Sequence, residues 1–336
     1  MPPVKGRVAL LLGTGVLALG LSVPAFAQDA ALHGADDPSG DPADEPKPAK
    51  IQLKLKGVKN GKVDVGRRIT VIGTVRPFVK GQRLRVWVQR GGKTIAARKT
   101  FVKQVRNRNV GKFTLRTGQL IKPGKFRAFV NKPATDNQVG ARKRTGTFRI
   151  RYPDLDPGDK SNAVKLLNKL LAKQAYYTSH GRKYNDATGR AVLAFRKVNN
   201  MPRTMNATPG IFKKLAKGKG GFKLKYPGAG KHIEADLSRQ VMVLAKGGKP
   251  RHIFHISSGA PATPTVTGKY RTYRKTPGVN SLGMIDSVYF HRGYATHGYK
   301  SVPTYPASHG CLRTPPANAR FIYNWINIGD PFYIYP

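Results

Sequence analysis

Apolar and basic side chains alternate with period two along the chain from Ile51 to about Tyr152. Segments such as RITVIGTV, RLRVWVQR and GKFRAFV follow this pattern, and Gly or Pro separates one segment from the next. Such alternation is typical of strands with one buried face. Six or seven short strands in about 100 residues predict an immunoglobulin-like β-sandwich over residues 50–152, with the role of a spacer or binding module.

The apolar spacing changes to a helical period between residues 153 and 217. Three groups of apolar residues each share one helical face: Val164, Leu167, Leu170 and Leu171; Ala191, Val192 and Phe195; Ile211 and Leu215. Thr208-Pro209 has the form of an N-cap followed by a first-turn proline. We therefore predict a small three-helix bundle over residues 153–217.

Strand patterns return in residues 222–336. IEADLSRQVMVLAKGG predicts a hairpin, RHIFHISSG a further strand, and GDPFYIYP the last strand. One helix is expected around Ala317 to Trp325. The whole chain is thus predicted to be a mainly β, multidomain protein.

The N-terminal segment has the features of a signal peptide. Lys5 and Arg7 precede an apolar run from Val8 to about Val23, and the small-residue triplet Ala25-Phe26-Ala27 follows. This order predicts a signal peptide over residues 1–27 and an exported protein, located in the cell wall or periplasmic space. No later apolar stretch approaches the roughly 20 residues of a membrane span, so no transmembrane domain is expected after cleavage.

Residues 28–49 are acidic, rich in Pro and Ala, and almost without large apolar side chains, which predicts a disordered linker. The chain as a whole is nevertheless strongly basic: 61 Lys and Arg against 16 Asp and Glu give a net charge of +45. This charge predicts an anionic partner. Because the chain is expected to be exported, we predict anionic cell-wall polymers and not nucleic acid.

The single cysteine, Cys311, lies in the stretch SHGCLR. A lone cysteine of an exported protein cannot form a disulfide within its own chain. His297, His309 and Arg313 are near it in sequence, and a histidine or a basic environment activates a thiol. Gly310 allows close backbone approach and N–H donation to an oxyanion. These groups are those needed for acyl transfer through a thioester.

Two other interpretations of this cysteine are less favoured. A small buried cysteine that packs as a hydrophobe fits poorly with the polar sequence around it. A metal site could draw on His291, His297, His309 and Cys311, but paired cysteines and HExxH spacing are both absent from the sequence. We therefore expect neither a metal ion nor a cofactor.

The stretch YATHGYKSVPTYPASHGCLR resembles the signature of the L,D-transpeptidase (YkuD-type) catalytic domain: a His-Gly pair, a loop, then Ser-His-Gly-Cys, an apolar residue and Arg. IEADLSRQVMVLAKGGK resembles the opening hairpin of that family, and SSGAPATPTVTGKYR its Ser/Thr-Gly…Thr-Pro…Thr-Gly segment. IGDPFYIYP resembles its closing strand. These matches occur in the family's order, and we assign residues 222–336 to such a domain.

The predicted helical region resembles a different family, the peptidoglycan-binding domain that accompanies many cell-wall enzymes. The resemblance lies in a Gly-Asp step before the first helix and an aromatic loop before the second. The matching residues are Leu167, Tyr184, Thr188, Ala191, Val192 and Phe195. It implies that residues 153–217 bind peptidoglycan.

The transpeptidase resemblance implies a role for each residue of the motif. Cys311 would be the nucleophile and His297 the general base, with the Gly298 carbonyl orienting its imidazole. Backbone N–H groups around Gly310 and Cys311 would form the oxyanion hole. His309 competes with His297 as the base, but residues two apart on an extended strand cannot fold back on each other, which favours His297.

Five further residues are expected to contribute to substrate binding: Ser308, His309, Arg313, Tyr289 and His291. The first three would shape the loop or contact substrate. Tyr289 and His291 precede the motif on a predicted strand and would line the cleft, although an ordinary strand role is an equal alternative.

The resemblance also implies a reaction. Cys311 would attack the carbonyl of the third residue of a peptidoglycan tetrapeptide stem, D-alanine would leave, and an amine of a neighbouring stem would resolve the thioester. With water as the acceptor the enzyme would be an L,D-carboxypeptidase. A non-catalytic wall-binding protein of the same fold is the other alternative.

Overall fold

The computed structural model describes residues 46–336. The predicted signal peptide and residues 28–45 of the predicted linker lie outside the described residues. Of the last linker residues, Lys47 forms a β-bridge with Gln138, and Ala49 packs against the hydrophobic core. Within residues 46–336, no helix is long and apolar enough to cross a membrane.

The alternating region forms ten strands, more than the six or seven that the pattern predicts. Their bounds are β1 Lys50–Lys56, β2 Lys62–Asp64, β3 Thr70–Arg76, β4 Arg83–Arg90, β5 Lys93–Phe101, β6 Lys103–Gln104, β7 Gly111–Arg116, β8 Lys125–Lys132, β9 Ala141–Arg144 and β10 Phe148–Arg151. The alternation does not predict β5, an edge strand whose side chains are mostly exposed, or the short strands β2, β6 and β9, whose few residues carry too little of the pattern.

These strands belong to two sheets, one ordered β1-β3-β7-β6 and the other β2-β10-β8-β4-β5 with β9 beside β8. Residues at every second position are buried in β3, β4 and β7, as the alternation requires. Val71 and Val75 of the first sheet and Val86 and Val130 of the second share one hydrophobic core. The basic residues between them face outward.

Three helices follow: α1 Asn162–Lys173, α2 Asp186–Val198 and α3 Pro209–Ala216. Side chains cap the first two helices, since Ser161 Oγ accepts a hydrogen bond from Val164 N at 3.2 Å and Asn185 Oδ1 accepts one from Thr188 N at 3.1 Å. Helix α3 begins at a proline, and Thr208 makes no side-chain cap hydrogen bond. All apolar residues expected on the helical faces are buried.

The C-terminal region contains nine strands and one helix. Their bounds are β11 His232–Asp236, β12 Val241–Lys246, β13 Lys249–His255, β14 Gly268–Arg271, β15 Arg274–Val279, β16 Ile285–His291, β17 Tyr294–Gly298, β18 Leu312–Thr314, α4 Pro316–Trp325 and β19 Pro331–Tyr335. One sheet has the order β13-β12-β11-β19-β14 and the other β15-β16-β17-β18. The mainly β class is therefore confirmed.

Strand β12 joins the helical region to the C-terminal sheets. Its residues Val241, Val243 and Ala245 belong to the core shared with the helices and the first two sheets. Met242 and Leu244, which point to the opposite face, belong to the core between the two C-terminal sheets. Both faces of this strand are buried, which explains the uninterrupted apolar run VMVLA.

Candidate active site

Cys311 lies immediately before β18, beside the strand that carries His297. Strands β17 and β18 are parallel, with Thr296 opposite Leu312 and His297 opposite Arg313. Because side chains alternate between the two faces of a sheet, Cys311 and His297 occupy the same face in diagonal positions on neighbouring strands. The register thus sets two residues that are fourteen positions apart in sequence on neighbouring chain segments.

The His297 imidazole is held by the neighbouring backbone. The side chain is only 4% exposed, and Nδ1 lies 2.9 Å from the Gly298 carbonyl oxygen. A carbonyl can only accept, so Nδ1–H donates and Nε2 keeps its lone pair. Burial lowers the pKa of His297 below its ordinary value, with Arg313 acting in the same direction and the Gly298 bond opposing both. The ring is therefore neutral at pH 7 and able to accept a proton.

Helix α4 packs closely on the backbone that orients this histidine. A Cβ atom added at Gly298 would lie 2.8 Å from the Ala319 Cβ, closer than packed side chains allow. Glycine at this position therefore lets the helix contact β17 directly. Thr314 Oγ1 donates to the His297 carbonyl at 3.1 Å and fixes the same segment to β18.

The Cys311 thiol is half-buried among apolar side chains. It packs against a cluster of Met284, Tyr289 and Ala295, and its Sγ lies 3.9 Å from the Gly293 carbonyl oxygen. Burial raises the pKa of the thiol, while the Ala295 backbone N–H and the Arg313 charge lower it and offset only part of the rise. The resting group is thus a thiol, and a base is needed to generate the nucleophilic thiolate.

Ser308 closes the turn that carries the cysteine. Its hydroxyl donates to the Cys311 carbonyl at 2.5 Å and accepts from the Gly310 N–H at 3.0 Å. The Gly310 N–H is therefore already hydrogen-bonded, and in this structure it is not free to donate to a substrate oxygen. Ser308 is 2% exposed and its bonds shape the loop, so its expected contact with substrate stays a prediction.

Gly310 has a backbone conformation that only glycine adopts readily. Its φ is +110°, in the region that L side chains avoid. A Cβ atom added there would lie 2.3 Å from Cε1 of Tyr294, whose ring covers this turn. Both facts require glycine between His309 and Cys311.

A second segment, from Ser257 to Thr265, forms hydrogen bonds with the backbone around Cys311. Thr265 Oγ1 donates to the Gly310 carbonyl at 2.7 Å and accepts from the Gly259 N–H at 2.9 Å. The backbone of Ser257 exchanges hydrogen bonds with Arg313 in both directions, at 3.0 and 2.9 Å. The SHGCLR motif does not predict these hydrogen bonds. The segment that could have indicated them is SSGAPATPTVTG, for which the sequence pattern predicts no site residue.

The two remaining polar motif residues differ in their surroundings. Arg313 is half-buried, with its guanidinium 4.2 Å above the ring of Tyr299 and Nη1 3.1 Å from the Ala307 carbonyl. The Tyr299 ring in turn meets the edge of His297, at a centroid distance of 5.7 Å. His309 is exposed, whereas His297 is buried.

Strand β16 places Tyr289 and His291 differently. Tyr289 is 7% exposed, belongs to the cluster that contacts Cys311, and lies under the Arg274 guanidinium at 4.0 Å. His291 lies farther along the strand, where its ring packs 4.9 Å from that of Tyr270. Within residues 46–336, no group of three His, Cys, Asp or Glu side chains could hold a metal ion.

The helical region holds the loop between His297 and Cys311 in place. Arg190 Nη1 donates to the Val302 carbonyl at 2.8 Å, and Arg203 Nη1 donates to the Thr304 carbonyl at 3.0 Å. His255 Nε2 also donates to the Val302 carbonyl, at 3.2 Å, and its Nδ1 lies 2.7 Å from Lys197 Nζ. Burial lowers the pKa of Lys197 to about 6.

Comparisons with known proteins agree with this geometry. Residues 230–334 match the family model of the L,D-transpeptidase catalytic domain (YkuD). This match concerns residues 230–334 and not the rest of the chain. Comparison with curated protein sequences gives no match.

Several solved structures are similar to this chain. An L,D-transpeptidase from Xylanimonas cellulosilytica is 28% identical, with a TM-score of 0.51, over 54% of this chain and 97% of that chain. A mutant L,D-transpeptidase from Enterococcus faecium is 26% identical over 32% of this chain and 50% of that chain, with a TM-score of 0.29. The Xylanimonas likeness covers more of this chain than residues 230–334, so it extends outside the matched domain.

Proposed function

We propose that the protein is an exported, cysteine-dependent L,D-transpeptidase that crosslinks peptidoglycan stem peptides. The observation that carries the proposal is the pairing of β17 with β18, which places the single cysteine and a buried, backbone-oriented histidine on one face of a sheet. The matched catalytic domain supports the reaction class. The predicted signal peptide supports export to the cell wall or periplasmic space.

In the first step, Nε2 of His297 removes the proton of the Cys311 thiol, and the thiolate attacks the carbonyl carbon of the third stem residue. The neutral imidazole and the raised pKa of the thiol suit this order, because the proton moves when substrate is present. The oxyanion that forms would accept a hydrogen bond from the Cys311 backbone N–H. Gly310 could serve as a second donor only after its bond to Ser308 opens.

Collapse of the tetrahedral intermediate breaks the bond to the terminal D-alanine, whose amine takes the proton from the His297 imidazolium. A thioester between Cys311 and the stem peptide remains. The amine of a second stem then attacks the thioester carbonyl, loses a proton to His297, and releases the thiol with a new peptide bond. No redox partner or metal ion is needed to balance either step.

The other parts of the chain have supporting roles in this proposal. Residues 153–217 would bind peptidoglycan, the region of residues 50–152 would act as an immunoglobulin-like spacer, and the basic surface would be attracted to anionic wall polymers. His309, Arg313, Tyr289 and His291 are the proposed contacts for substrate. Arg313 packs on Tyr299, whose ring contacts His297, and Tyr289 belongs to the cluster that contacts Cys311.

The test is incubation of residues 28–336 with a disaccharide-tetrapeptide, followed by mass spectrometry for crosslinked dimer and free D-alanine. We expect Cys311→Ala to abolish both products and His297→Ala to lower the rate by a factor of about 10² or more, as expected for loss of a general base. His309→Ala separates the two candidate bases: loss of a substrate contact should cost less of the rate than loss of the base at His297. Equal activity of Cys311→Ala and the parent would refute the mechanism.

The same assay separates the two alternatives. Tripeptide and D-alanine without dimer would identify water as the acceptor and make the protein an L,D-carboxypeptidase. Neither product, with retained binding to isolated cell walls, would identify a non-catalytic wall-binding protein.

A further inference from the structure

A large basic cleft lies between the first two sheets and the helical region, away from Cys311. Its volume is about 1430 Å³, above the range of about 300–1,000 Å³ that is usual for small-molecule sites. Eight of its 21 lining residues are Lys or Arg, against two Asp. The cleft thus has the size of a site for an extended ligand and a strong positive charge.

Both walls contribute cations. Arg67, Arg68 and Arg116 come from the sheet side, and Lys165, Lys169 and Arg182 from the helical side. All six side chains are exposed, and Lys165 and Lys169 are one turn apart on α1. In residues 46–336, none of the six forms a salt bridge with a carboxylate. Their charges therefore remain available to a ligand.

The two acidic residues of the cleft compensate little of this charge. Asp64 pairs with Arg151 at 2.6 Å, and Asp159 Oδ2 accepts a hydrogen bond from the Asp156 N–H at 2.9 Å. Most of the cations of the cleft thus have no carboxylate partner in the described residues, and like charges on one surface repel each other. An anionic ligand would relieve this repulsion.

Contacts between the two walls fix the shape of the cleft. Leu166 of α1 approaches Gly66, so that a Cβ added at this glycine would lie 3.1 Å from the leucine Cδ2. The Tyr152 and Phe212 rings pack across the same boundary at a centroid distance of 6.1 Å. Residues of both walls share one hydrophobic core. The cations are therefore presented by a preformed surface.

The chemistry of the lining defines the ligand class. The lining residues include no Phe, Tyr or Trp, the side chains on which sugars and nucleic-acid bases stack. Recognition by this surface therefore depends on charge, and guanidinium groups bind phosphate and carboxylate oxygens in pairs. We propose that this cleft binds a linear polymer of closely spaced phosphate or carboxylate groups without bases. The proposal rests on the proposed export of the chain but not on its transpeptidase activity.

The test is binding of residues 28–336 to fluorescent poly(glycerol phosphate) and to poly-glutamate, at several salt concentrations. The cleft variant is Arg116→Gln, Lys165→Gln and Lys169→Gln, which removes cations from both walls. The control variant is Lys54→Gln, Lys93→Gln and Lys99→Gln, an equal charge change at exposed positions of β1 and β5. The better-bound polymer distinguishes a phosphate from a carboxylate source.

We expect the cleft variant to bind at least about tenfold more weakly at 0.15 M salt, with a shallower dependence of log affinity on log salt, because fewer counterions are released. The control should change by less than about twofold, and Cys311→Ala should bind like the parent even if the enzymatic assay fails. Equal weakening of both triple variants would show diffuse attraction and overturn the proposal. Tighter, cleft-dependent binding of oligo-dT than of either polymer would also overturn it.

Discussion

At the scale of single residues, the surroundings of His297 and Cys311 favour the neutral form of both side chains. Burial lowers the pKa of His297 and raises the pKa of Cys311, so imidazole and thiol are favoured over imidazolium and thiolate. The Gly298 carbonyl fixes the tautomer in which Nε2 accepts the proton. In the proposed mechanism, the oriented imidazole would therefore take the thiol proton during the reaction.

The first prediction concerns the pH dependence of alkylation. A thiol with a raised pKa forms thiolate only at higher pH, so the rate of Cys311 alkylation by iodoacetamide should rise with a midpoint above about 8.5, the ordinary cysteine value. Mass spectrometry of alkylated residues 28–336 across pH 5–10 measures this midpoint, with a short cysteine peptide as reference. A rate that is already maximal at pH 6 would instead indicate a stable thiolate–imidazolium pair.

The second prediction concerns Gly310→Ala. The substitution combines a left-handed backbone with a 2.3 Å approach to Tyr294, and we expect it to destabilise the fold by about 2 kcal/mol or more. Gly293→Ala is the control, because a Cβ there meets nothing within 4 Å and its φ is not in the left-handed region. Thermal unfolding measures both. A Gly310→Ala midpoint equal to that of the parent would contradict the strain argument.

At the scale of elements, hydrogen bonds join the helical region to the loop between His297 and Cys311. Residues of α2 and of the segment after it donate hydrogen bonds to main-chain carbonyls between His297 and Cys311. The loop has no regular secondary structure from Tyr299 to Ala307, so these bonds restrict its motion. Arg190 and Arg203 are thus positioning residues for the site.

The third prediction tests this link with the double variant Arg190→Gln and Arg203→Gln. Loss of two hydrogen bonds from charged donors, one part-buried and one exposed, should speed amide exchange in residues 299–307 by about fivefold or more. Hydrogen exchange measured by mass spectrometry gives the rate, and Lys213→Gln on α3 is the control. Crosslinking should fall in parallel, and the conservative variant Arg190→Lys should restore part of both. Unchanged exchange in the loop would disprove the link.

At the scale of the whole molecule, the catalytic domain depends on its neighbour for part of its core. Val241, Val243, Ala245 and Ile253 are fully buried in the cluster shared with the helices. The backbone of Tyr177 and Ala175 also pairs with Ile253 at the free edge of β13. Residues 153–217 and 222–336 therefore form one structural unit, although their boundary stays a prediction from sequence.

The fourth prediction follows from this shared core. Residues 222–336 alone would expose three large side chains that each contribute about 1.5–3 kcal/mol by burial, so we expect a lower unfolding midpoint or aggregation. Residues 153–336, which keep the helices against β12, should unfold at a higher midpoint than residues 222–336. Calorimetry of the two fragments provides the measurement. An equal midpoint for residues 222–336 would show that the catalytic domain is independent.

The strands and helices that could be predicted from sequence are those with a regular spacing of apolar residues. Alternation in β3 and β4 and the apolar faces of α1 and α2 are short-range signals, and the structure has strands and helices at those positions. The pattern does not predict the short strands β2, β6 and β9, because two to four residues carry no measurable period. It also does not predict β5, because this strand lies at a sheet edge and has no buried face to make its residues alternate.

The sequence by itself determined the chemistry of the candidate site. The lone Cys311 in SHGCLR and the His-Gly pair before it are the two candidates for that chemistry, and their roles stay predictions. The tertiary structure decided what surrounds them: the Gly310 N–H is taken by Ser308, and Arg190 reaches Val302 across 112 positions of sequence. It also assembled the basic cleft from two regions. Such contacts depend on long-range packing, which no local periodicity or motif spacing encodes.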